Sequence, residues 1–343
     1  MELKCPYCSE EVRAPVAAGE ESILAGCSGC FNPFEISRSD GTSRTKILSG
    51  TGDVREIAME GSIGGEVMRC LPGVLDDLPV LPEISQRVMA LTSNPNVSMT
   101  ELAGFIREDQ VIAATVLKAA NSAVYGGLQR IAELDAACTR LGMRTIANIV
   151  QTAANGRLFQ TNDPNLLDMM KRLWRHSVVT AYCANEIAVM LCEPRPDAFY
   201  LAGLFHDIGK IALLEIVSGA KGGPVGELRG SPGLLEDVLT NFHCMVGMHV
   251  VQKWALPNEF RLTTYFHDRA ASVPVESWSR PVHIVSLANL VAKACGFSMK
   301  EEEERFSLLG HPSAGYLNMT DIKLANLRVT VEEKFESLLE SFE

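Results

Sequence analysis

The chain has 343 residues, a length that allows two or three domains. Hydrophobic residues make up 47% and charged residues 21%, which excludes a largely disordered protein. With 42 acidic and 31 basic residues the formal net charge is -11, which argues against a protein that mainly coats nucleic acid or an anionic membrane.

The N-terminal sequence MELKCPYC does not resemble a signal peptide, because no basic segment precedes an apolar one. No apolar run in the sequence approaches the roughly 20 residues that span a bilayer. We therefore expect a cytoplasmic protein without a membrane segment. In a reducing compartment, paired cysteines indicate metal or redox chemistry before disulfides.

Two Cys-x-x-Cys pairs lie in the segment 1–36, namely Cys5 with Cys8 and Cys27 with Cys30. Four thiolates at this spacing are typical of a closed, tetrahedral structural zinc site. A redox dithiol and unrelated cysteines are the alternatives. We predict that these four cysteines bind zinc.

The residues around the cysteine pairs favour a small β fold. Short strands are predicted at 11–16 and 22–25, with Phe31, Phe34 and Ile36 packing on the cysteine pairs. So small a segment cannot hold a hydrophobic core alone, and metal binding would therefore stabilise its fold. The segment resembles the zinc-ribbon family, in which the four-thiolate site is structural.

Residues 37–70 are rich in Ser, Gly and Thr and show no persistent period, which predicts a linker. Helical periodicity then continues almost to the end of the chain, so we predict an all-helical body. Ser98 with Glu101 forms a capping box, and Asp109 can cap the following helix. Asn121 is expected to fix a turn by hydrogen bonding.

Further helices are predicted by the same apolar spacing. They cover 134–141, 143–159, 166–191, 197–216, 234–255, 259–267 and 281–295. Thr330 is expected to cap a last amphipathic helix at 331–343. This helix is expected to pack on its own domain, with self-association into a homodimer as the alternative.

The dipeptide His206-Asp207 interrupts a strongly apolar helical stretch, AGLFHDIGKIALL, and Lys210 follows one turn later. A buried charge is costly unless it is paired or bound to an ion. Imidazole and carboxylate ligands together suit Mn, Fe or Zn, and Lys210 could contact a phosphate. The alternative for any single histidine is an ordinary core or surface residue.

Other histidines in helical contexts could supply further ligands to that ion: His176, His243 and His267. His249 lies about 240° round the helix from His243, so the two should not share a site. The other cysteines are predicted to be packing residues, because they lie among apolar neighbours. They are Cys70, Cys138, Cys183, Cys192, Cys244 and Cys295.

In order, His176, His206-Asp207, His243 and His267 resemble the ligand series of the HD superfamily of metal-dependent phosphohydrolases. The stretch 71–317 resembles the HDOD family, the HD-related output domain of bacterial signalling proteins. The matching pieces are LPVLPEI, SMTELAGFIREDQ, LKAANSAVYG, RLGM, RLWRHS, AGLFHDIGK, HCMVG and WALP. The resemblance implies an all-helical HDOD domain over 71–330, with a first lobe at about 71–160 and an HD-like lobe at about 161–330.

Two departures from the resembling families bear on activity. HD enzymes usually close the metal site with a later Asp, and the matching place here holds the neutral Asn289. Where HD-GYP phosphodiesterases carry paired histidines, this chain has Phe266-His267, and the GYP signature is absent. A binuclear centre is therefore not expected, and no residue is assigned as catalytic.

Two functions remain open from the sequence. The favoured one is a signalling or regulatory protein whose degenerate HD-like domain binds a partner protein or a small nucleotide ligand, with Zn in the ribbon. The alternative is a metal-dependent phosphohydrolase or phosphodiesterase that acts on a nucleotide or cyclic dinucleotide with Mn, Fe, Mg or Zn in the HD pocket. Nucleic-acid binding by the ribbon is disfavoured, because Arg13 is the only basic residue between Cys8 and Cys30.

Overall fold

The computed structural model describes residues 3–7, 9–12, 22–27, 32–39, 42–47, 63–77, 81–94, 97–127, 129–220, 222–274, 276–299 and 307–342. The chain forms two compact units, and each combines two stretches that are distant in sequence. The first unit contains 1–78 and 205–286, and the second contains 79–204 and 287–343. These boundaries differ from the consecutive lobes expected at 71–160 and 161–330, because packing joins the N-terminal region to the middle of the chain.

Two small antiparallel sheets form the N-terminal β region of the first unit. Strands β1 (Leu3–Lys4) and β2 (Glu11–Val12) form one sheet. The other has the order β3-β4-β5, with β3 at Ser22–Gly26, β4 at Pro33–Ser39 and β5 at Thr42–Ile47. Strands β2 and β3 agree with the predicted positions.

A single apolar cluster fills the core of the N-terminal β region. Alternate residues of β3 and β4 contribute to it, because successive side chains of a strand point to opposite faces. The buried members are Cys5, Val12, Ile23, Ala25, Cys27, Phe34 and Ile36. The predicted packing of Phe34 and Ile36 beside the cysteines is thus confirmed, whereas Phe31 lies outside the described residues.

Helices make up most of the remaining chain. In order they are α1 (Ile63–Asp77), α2 (Glu83–Ser93), α3 (Met99–Arg107), α4 (Gln110–Ala120), α5 (Leu134–Asn155), α6 (Leu167–Met190), α7 (Pro196–Phe205), α8 (Ile208–Gly219), α9 (Gly223–Glu227), α10 (Pro232–Lys253), α11 (Asn258–Phe266), α12 (Glu276–Ala294), α13 (Pro312–Tyr316) and α14 (Asp321–Leu339). Short 3-10 turns follow α5, α9 and α11 at Gly156–Phe159, Leu228–Gly230 and His267–Ser272. The predicted mainly helical body with a small β region before it is confirmed.

Strand β5 and the first half of α1 fall within 37–70, where the sequence indicated a linker. The strand is a polar TSRTKI segment that pairs with β4, so backbone pairing stabilises it where its own apolar pattern is weak. Helix α1 packs in the first unit beside α8, α9 and α10. The interval is therefore partly ordered secondary structure.

Local capping signals are confirmed at three sites. The Ser98 hydroxyl accepts from Glu101 N at 3.2 Å, and the Asp109 carboxylate accepts from Val111 N at 2.9 Å. Asn121 holds its turn through two bonds to Ile131: its amide nitrogen donates to the Ile131 carbonyl oxygen at 2.8 Å, and its amide oxygen accepts from Ile131 N at 2.9 Å. These polar side chains satisfy backbone groups at helix ends and turns.

The predicted bounds of two helices are wrong. The last helix begins at Asp321 and is capped by Thr320, whereas Thr330 lies in its interior and donates its hydroxyl to the Asn326 carbonyl oxygen at 3.0 Å. The predicted helix 197–216 is two helices, α7 and α8, separated by His206 and Asp207. No helix in the described ranges is both long and apolar enough to cross a membrane.

Candidate metal centre

His206 and Asp207 lie in the break between α7 and α8, not on a continuous helix. Asp207 has φ -102° and ψ 14°, and its side chain does not cap α8. Instead its Oδ2 accepts from Lys210 Nζ at 2.6 Å and lies 3.4 Å from His206 Nε2. The side chains of His206 and Asp207 are almost completely buried, so the sequence indicated a buried charge correctly but placed it in the wrong local structure.

Close backbone packing brings Asp207 towards α10 and α11. A Cβ added at Gly209 would overlap the His243 carbonyl oxygen, and one added at Gly247 would lie 2.5 Å from Thr264 Cγ2. Only residues without a side chain allow helices to approach so closely. The start of α8, the middle of α10 and the end of α11 therefore meet at one place in the first unit.

The two histidines at this place are oriented by main-chain carbonyl groups. His243 Nδ1 lies 2.7 Å from the Leu239 carbonyl oxygen, and His267 Nδ1 lies 3.1 Å from the Thr264 carbonyl oxygen. A carbonyl oxygen only accepts, so each Nδ1 carries the hydrogen. In the neutral rings the Nε2 atoms then present lone pairs, which is the usual arrangement of metal-binding histidines.

These Nε2 atoms face each other and two carboxylates. His243 Nε2 lies 3.3 Å from His267 Nε2, and Asp207 Oδ1 lies 3.3 Å and 3.4 Å from them. Asp268 Oδ2 lies 3.2 Å from His243 Nε2, and Asp268 Oδ1 lies 3.5 Å from His267 Nε2. Four acceptor atoms this close repel one another unless a proton or a metal cation lies among them.

The pKa shifts of Asp207 and His267 reflect the opposite charges that face each other in the pocket. Burial acts to raise the pKa of Asp207, but Lys210 and His206 outweigh it and hold that pKa well below its usual range. Burial acts to lower the pKa of His267, but the neighbouring Asp268 and Cys244 raise it. The raised pKa of His267 shows that its neighbours favour positive charge at this ring, whereas the low pKa of Asp207 shows that this carboxylate already has cationic partners.

Two residues that lie at this pocket were not among the predicted site residues. Asp268 follows His267 and so forms a second His-Asp dipeptide in the sequence, which could have indicated Asp268 as a site residue. Cys244 was assigned to packing, yet its Sγ lies 3.3 Å from His243 Nε2. Burial raises the pKa of Cys244 to about 11, so it is a thiol when no metal is bound. Phe266 is buried, and Asp268 is the neighbour of His267 that faces the pocket.

The other predicted pocket residues belong to the second unit. His176 lies in α6 with its Nδ1 2.7 Å from the Phe297 carbonyl oxygen, and Asn289 is buried in α12. Their contribution to a metal site stays a prediction. The pocket described here is therefore the set of Asp207, His243, His267 and Asp268 in the first unit, with His206, Lys210 and Cys244 beside it.

The predicted zinc ligands can be described in part. Cys5 and Cys27 are buried in one apolar cluster, while Cys8 and Cys30 lie outside the described residues. Tyr7 N lies 3.4 Å from Cys5 Sγ, and Ser9 follows with φ 64°. The main chain thus turns tightly around Cys5, as a Cys-x-x-Cys metal turn requires.

The edge strand β3 is bonded to the helices that carry His243 and His267. Gly26 N donates to Gln252 Oε1 at 2.7 Å, and Gln252 Nε2 donates to the Gly26 carbonyl oxygen at 3.0 Å. Leu24 N donates to Asn258 Oδ1 at 2.9 Å. His249 packs against Gly26, where an added Cβ would overlap its ring, which supports the prediction that His249 does not join His243.

Comparison with known proteins decides the family. The family model described as "HDOD domain" matches residues 78–270, more than half of the chain. This chain belongs to the HDOD domain family. The predicted family is confirmed, and its match contains every residue of the first-unit pocket.

One sequence relative and two solved structures are similar to this HDOD protein at low sequence identity. An uncharacterized protein of Treponema pallidum (strain Nichols) is 25% identical over 276 residues, 77% of this chain and 50% of the relative, so the chain spans about half of that protein. An HDOD domain protein of unknown function from Geobacter sulfurreducens has a TM-score of 0.60 and 24% identity over 81% of this chain and 95% of its own. A Shewanella amazonensis SB2B protein, provisionally assigned as a metal-dependent phosphohydrolase, has a TM-score of 0.54 and 20% identity over 81% of this chain and 100% of its own.

The HDOD pocket has the donor chemistry of a divalent metal site. Two imidazole nitrogens and two carboxylates suit Zn, Mn or Fe(II). Such an ion, when bound, polarises a phosphoryl oxygen and activates water. The chain's own residues orient the imidazoles and exclude water from Asp207, His243 and His267, while Asp268, about 40% exposed at its side chain, lies at the solvent side.

Proposed function

We propose that this HDOD protein is a signalling or regulatory protein that works by binding, with a divalent metal ion held by Asp207, His243, His267 and Asp268. The observation that carries the proposal is the convergence of two Nε2 atoms and two carboxylates within 3.2 to 3.5 Å of His243 or His267 Nε2. Two carbonyl-bound Nδ1 atoms keep both Nε2 lone pairs directed at the same point.

Binding without turnover is favoured by the state of Lys210. Its Nζ lies 2.6 Å from Asp207 Oδ2, and its side chain is only 13% exposed. A lysine that neutralises a buried carboxylate is not available to neutralise a phosphate without leaving Asp207 unpaired. Asn289, in the position where the resembling enzymes carry an aspartate, would supply no charge to a metal.

The proposal includes structural zinc in the N-terminal β region through Cys5, Cys8, Cys27 and Cys30. Support comes from the tight turn at Cys5 and from the burial of Cys5 and Cys27 in one small cluster. The bonds from β3 to Gln252 and Asn258 join this region to the helices that carry His243 and His267. A partner protein or a small nucleotide ligand fits the net charge of -11 better than nucleic acid does.

A second function, metal-dependent phosphohydrolysis, has one specific observation in its favour. Asp268 is about 40% exposed, so solvent and a small substrate can reach the edge of the pocket. The fold likeness to a protein provisionally assigned as a metal-dependent phosphohydrolase is compatible with this function. In that case Lys210 would have to release Asp207 and form its ion pair with a phosphate oxygen instead.

Metal analysis of the full chain tests the first proposal. We expect about two metal ions per chain in the wild type and about one in His267→Ala, because the pocket loses one of its two imidazole ligands. The control is His311→Asn, since His311 only caps α13 through its Nδ1 and Asn can accept the same bond. Equal metal content in His267→Ala and the wild type would refute metal binding in the pocket.

Turnover assays separate the two functions. The protein loaded with Zn2+, Mn2+ or Mg2+ is incubated with bis-p-nitrophenyl phosphate and with cyclic dinucleotides. We expect no turnover above that of metal-loaded buffer. Enzymatic turnover that His243→Ala abolishes would replace the binding proposal with phosphohydrolysis.

A further inference from the structure

The distances around His243 match those of a tetrahedral ion site that includes sulfur. Ligand atoms about 2.0 to 2.3 Å from one zinc ion, at tetrahedral angles, lie about 3.3 to 3.6 Å apart. From His243 Nε2 the observed distances are 3.3 Å to His267 Nε2, 3.2 Å to Asp268 Oδ2 and 3.3 Å to Cys244 Sγ. The donor atoms of these four residues all lie within 4.8 Å of one another.

Charge also favours sulfur as a ligand. Lys210 offsets the charge of Asp207 through the 2.6 Å ion pair, and Asp268 is the carboxylate whose Oδ2 lies 3.2 Å from His243 Nε2. Two neutral imidazoles and one carboxylate compensate only one charge of a divalent cation. A Cys244 thiolate would compensate the second charge, and soft sulfur would raise the preference for zinc over magnesium or manganese.

We propose that Cys244 is a metal ligand and that His243, Cys244, His267 and Asp268 together close the coordination of a zinc-type ion. On binding, the S–H bond of Cys244 is replaced by a sulfur–metal bond, and the proton passes to water. This inference rests on the proposed metal binding in the pocket. It goes further by placing Cys244, instead of Asp207, as the fourth ligand and by naming the class of metal.

A closed set of four protein ligands has a functional consequence. Structural zinc sites are closed, whereas catalytic zinc keeps a position for water or substrate. With Cys244 bound, the ion would have no open tetrahedral position for a phosphate. The pocket would then hold an ion at α10 and the end of α11 and would not hydrolyse a ligand.

Cobalt spectroscopy of the full chain tests the role of Cys244. Co2+ bound to thiolate absorbs in the near ultraviolet through sulfur-to-metal charge transfer. Because the N-terminal cysteines would also contribute, the signal of interest is the difference between wild type and Cys244→Ser. We expect Cys244→Ser to lose the part of this absorbance that one thiolate contributes. We also expect the variant to bind Zn2+ in the pocket at least about tenfold more weakly.

Two variants serve as comparisons. Cys70→Ser, which changes a half-buried cysteine of α1, should keep the full absorbance. Cys244→Asp replaces the soft ligand by a hard one and should shift the preference from Zn2+ towards Mn2+. Circular dichroism checks that each variant is folded.

The outcomes distinguish this inference from the proposed function. In one outcome Cys244→Ser leaves the absorbance and the Zn2+ affinity unchanged, while His267→Ala removes the metal from the pocket. Asp207 is then the fourth ligand, and the Cys244 inference is wrong although the proposed metal binding stands. If His267→Ala also retains all metal, the proposed function fails with it. Loss of the thiolate signal in Cys244→Ser, with Cys70→Ser unchanged, supports the inference.

Discussion

The N-terminal β region and the histidine pocket both gather side chains of types that can bind metal in the first unit, but different forces hold them. In the described part of the β region, a tight turn follows Cys5, and a small apolar cluster packs around Cys5 and Cys27. In the pocket, three helices packed through Gly209 and Gly247 fix His243 and His267. A site made by turns depends on its ion for structure, whereas a site made by packed helices is formed before the ion arrives.

This difference predicts opposite responses to loss of metal. The β region should lose its fold when its zinc is removed, because its apolar cluster is too small to be stable alone. The pocket should become empty but keep its geometry, because main-chain carbonyl groups and helix packing continue to orient its histidines. Four experiments address this contrast, from the largest expected effect to the smallest.

The double variant Cys5→Ser, Cys27→Ser should show the largest effect. Zinc binding of this type contributes on the order of 10 kcal/mol to folding, so the β region should unfold and the metal content should fall by about one ion per chain. Elemental analysis and limited proteolysis measure the two changes. Cys192→Ser, at an exposed cysteine, is the control. Retention of full metal content in the double variant would contradict a zinc site at these cysteines.

Lys210→Met should destabilise the pocket by about 3 to 5 kcal/mol, because Asp207 would be left buried without its cation. The pKa of Asp207 is lower in the folded protein than in the unfolded chain, where it is about 3.9. The ion pair therefore stabilises the fold fully above about pH 4, and this stabilisation is lost as the pH falls below that value. The difference in the free energy of unfolding between the wild type and Lys210→Met should therefore become smaller below about pH 4. Urea unfolding between pH 3 and 7 measures it, with Lys210→Arg as the charge-retaining comparison. A deficit that is equal at all pH values would exclude the ion pair as its cause.

Gly209→Ala tests whether helix packing forms the pocket. The added Cβ would overlap the His243 carbonyl oxygen, and such overpacking costs about 3 kcal/mol. Gly219→Ala at the end of the same helix is the matched control, because an added Cβ there meets nothing within 4 Å. The midpoint temperature of thermal unfolding should therefore be lower for Gly209→Ala than for Gly219→Ala. Equal stability would show that α8 and α10 can separate without loss.

Gln252→Ala should have the smallest effect. It removes both bonds between Gln252 and Gly26, worth about 1 to 2 kcal/mol together. Hydrogen exchange should increase at Gly26 N and less at Leu24 N, which keeps its bond to Asn258. Thr240→Ala, at an exposed position of α10, is the control. Unchanged exchange at Gly26 would mean that this contact does not anchor β3.

Local signals in the sequence predicted much of the fold. Ser98, Asp109 and Asn121 act within a few residues of their own positions, so the sequence near them contains all the required information. Thr330 shows the limit of such signals, because a threonine can also donate to the carbonyl group one turn earlier and remain inside a helix. Strand β5 was missed because its partner strand, not its own pattern, stabilises it.

The sequence by itself determined the family, the helical body, the histidines of the pocket and the buried His206-Asp207 pair, because these depend on residue type, order and short spacing. The tertiary structure decided that Asp207, His267 and Asp268 lie beside His243. It also decided that β3 is bonded to α10 and α11. These contacts join segments up to 234 residues apart, which short spacing in the sequence cannot reveal, and Gly209 and Gly247 let the helices approach closely where the pocket forms.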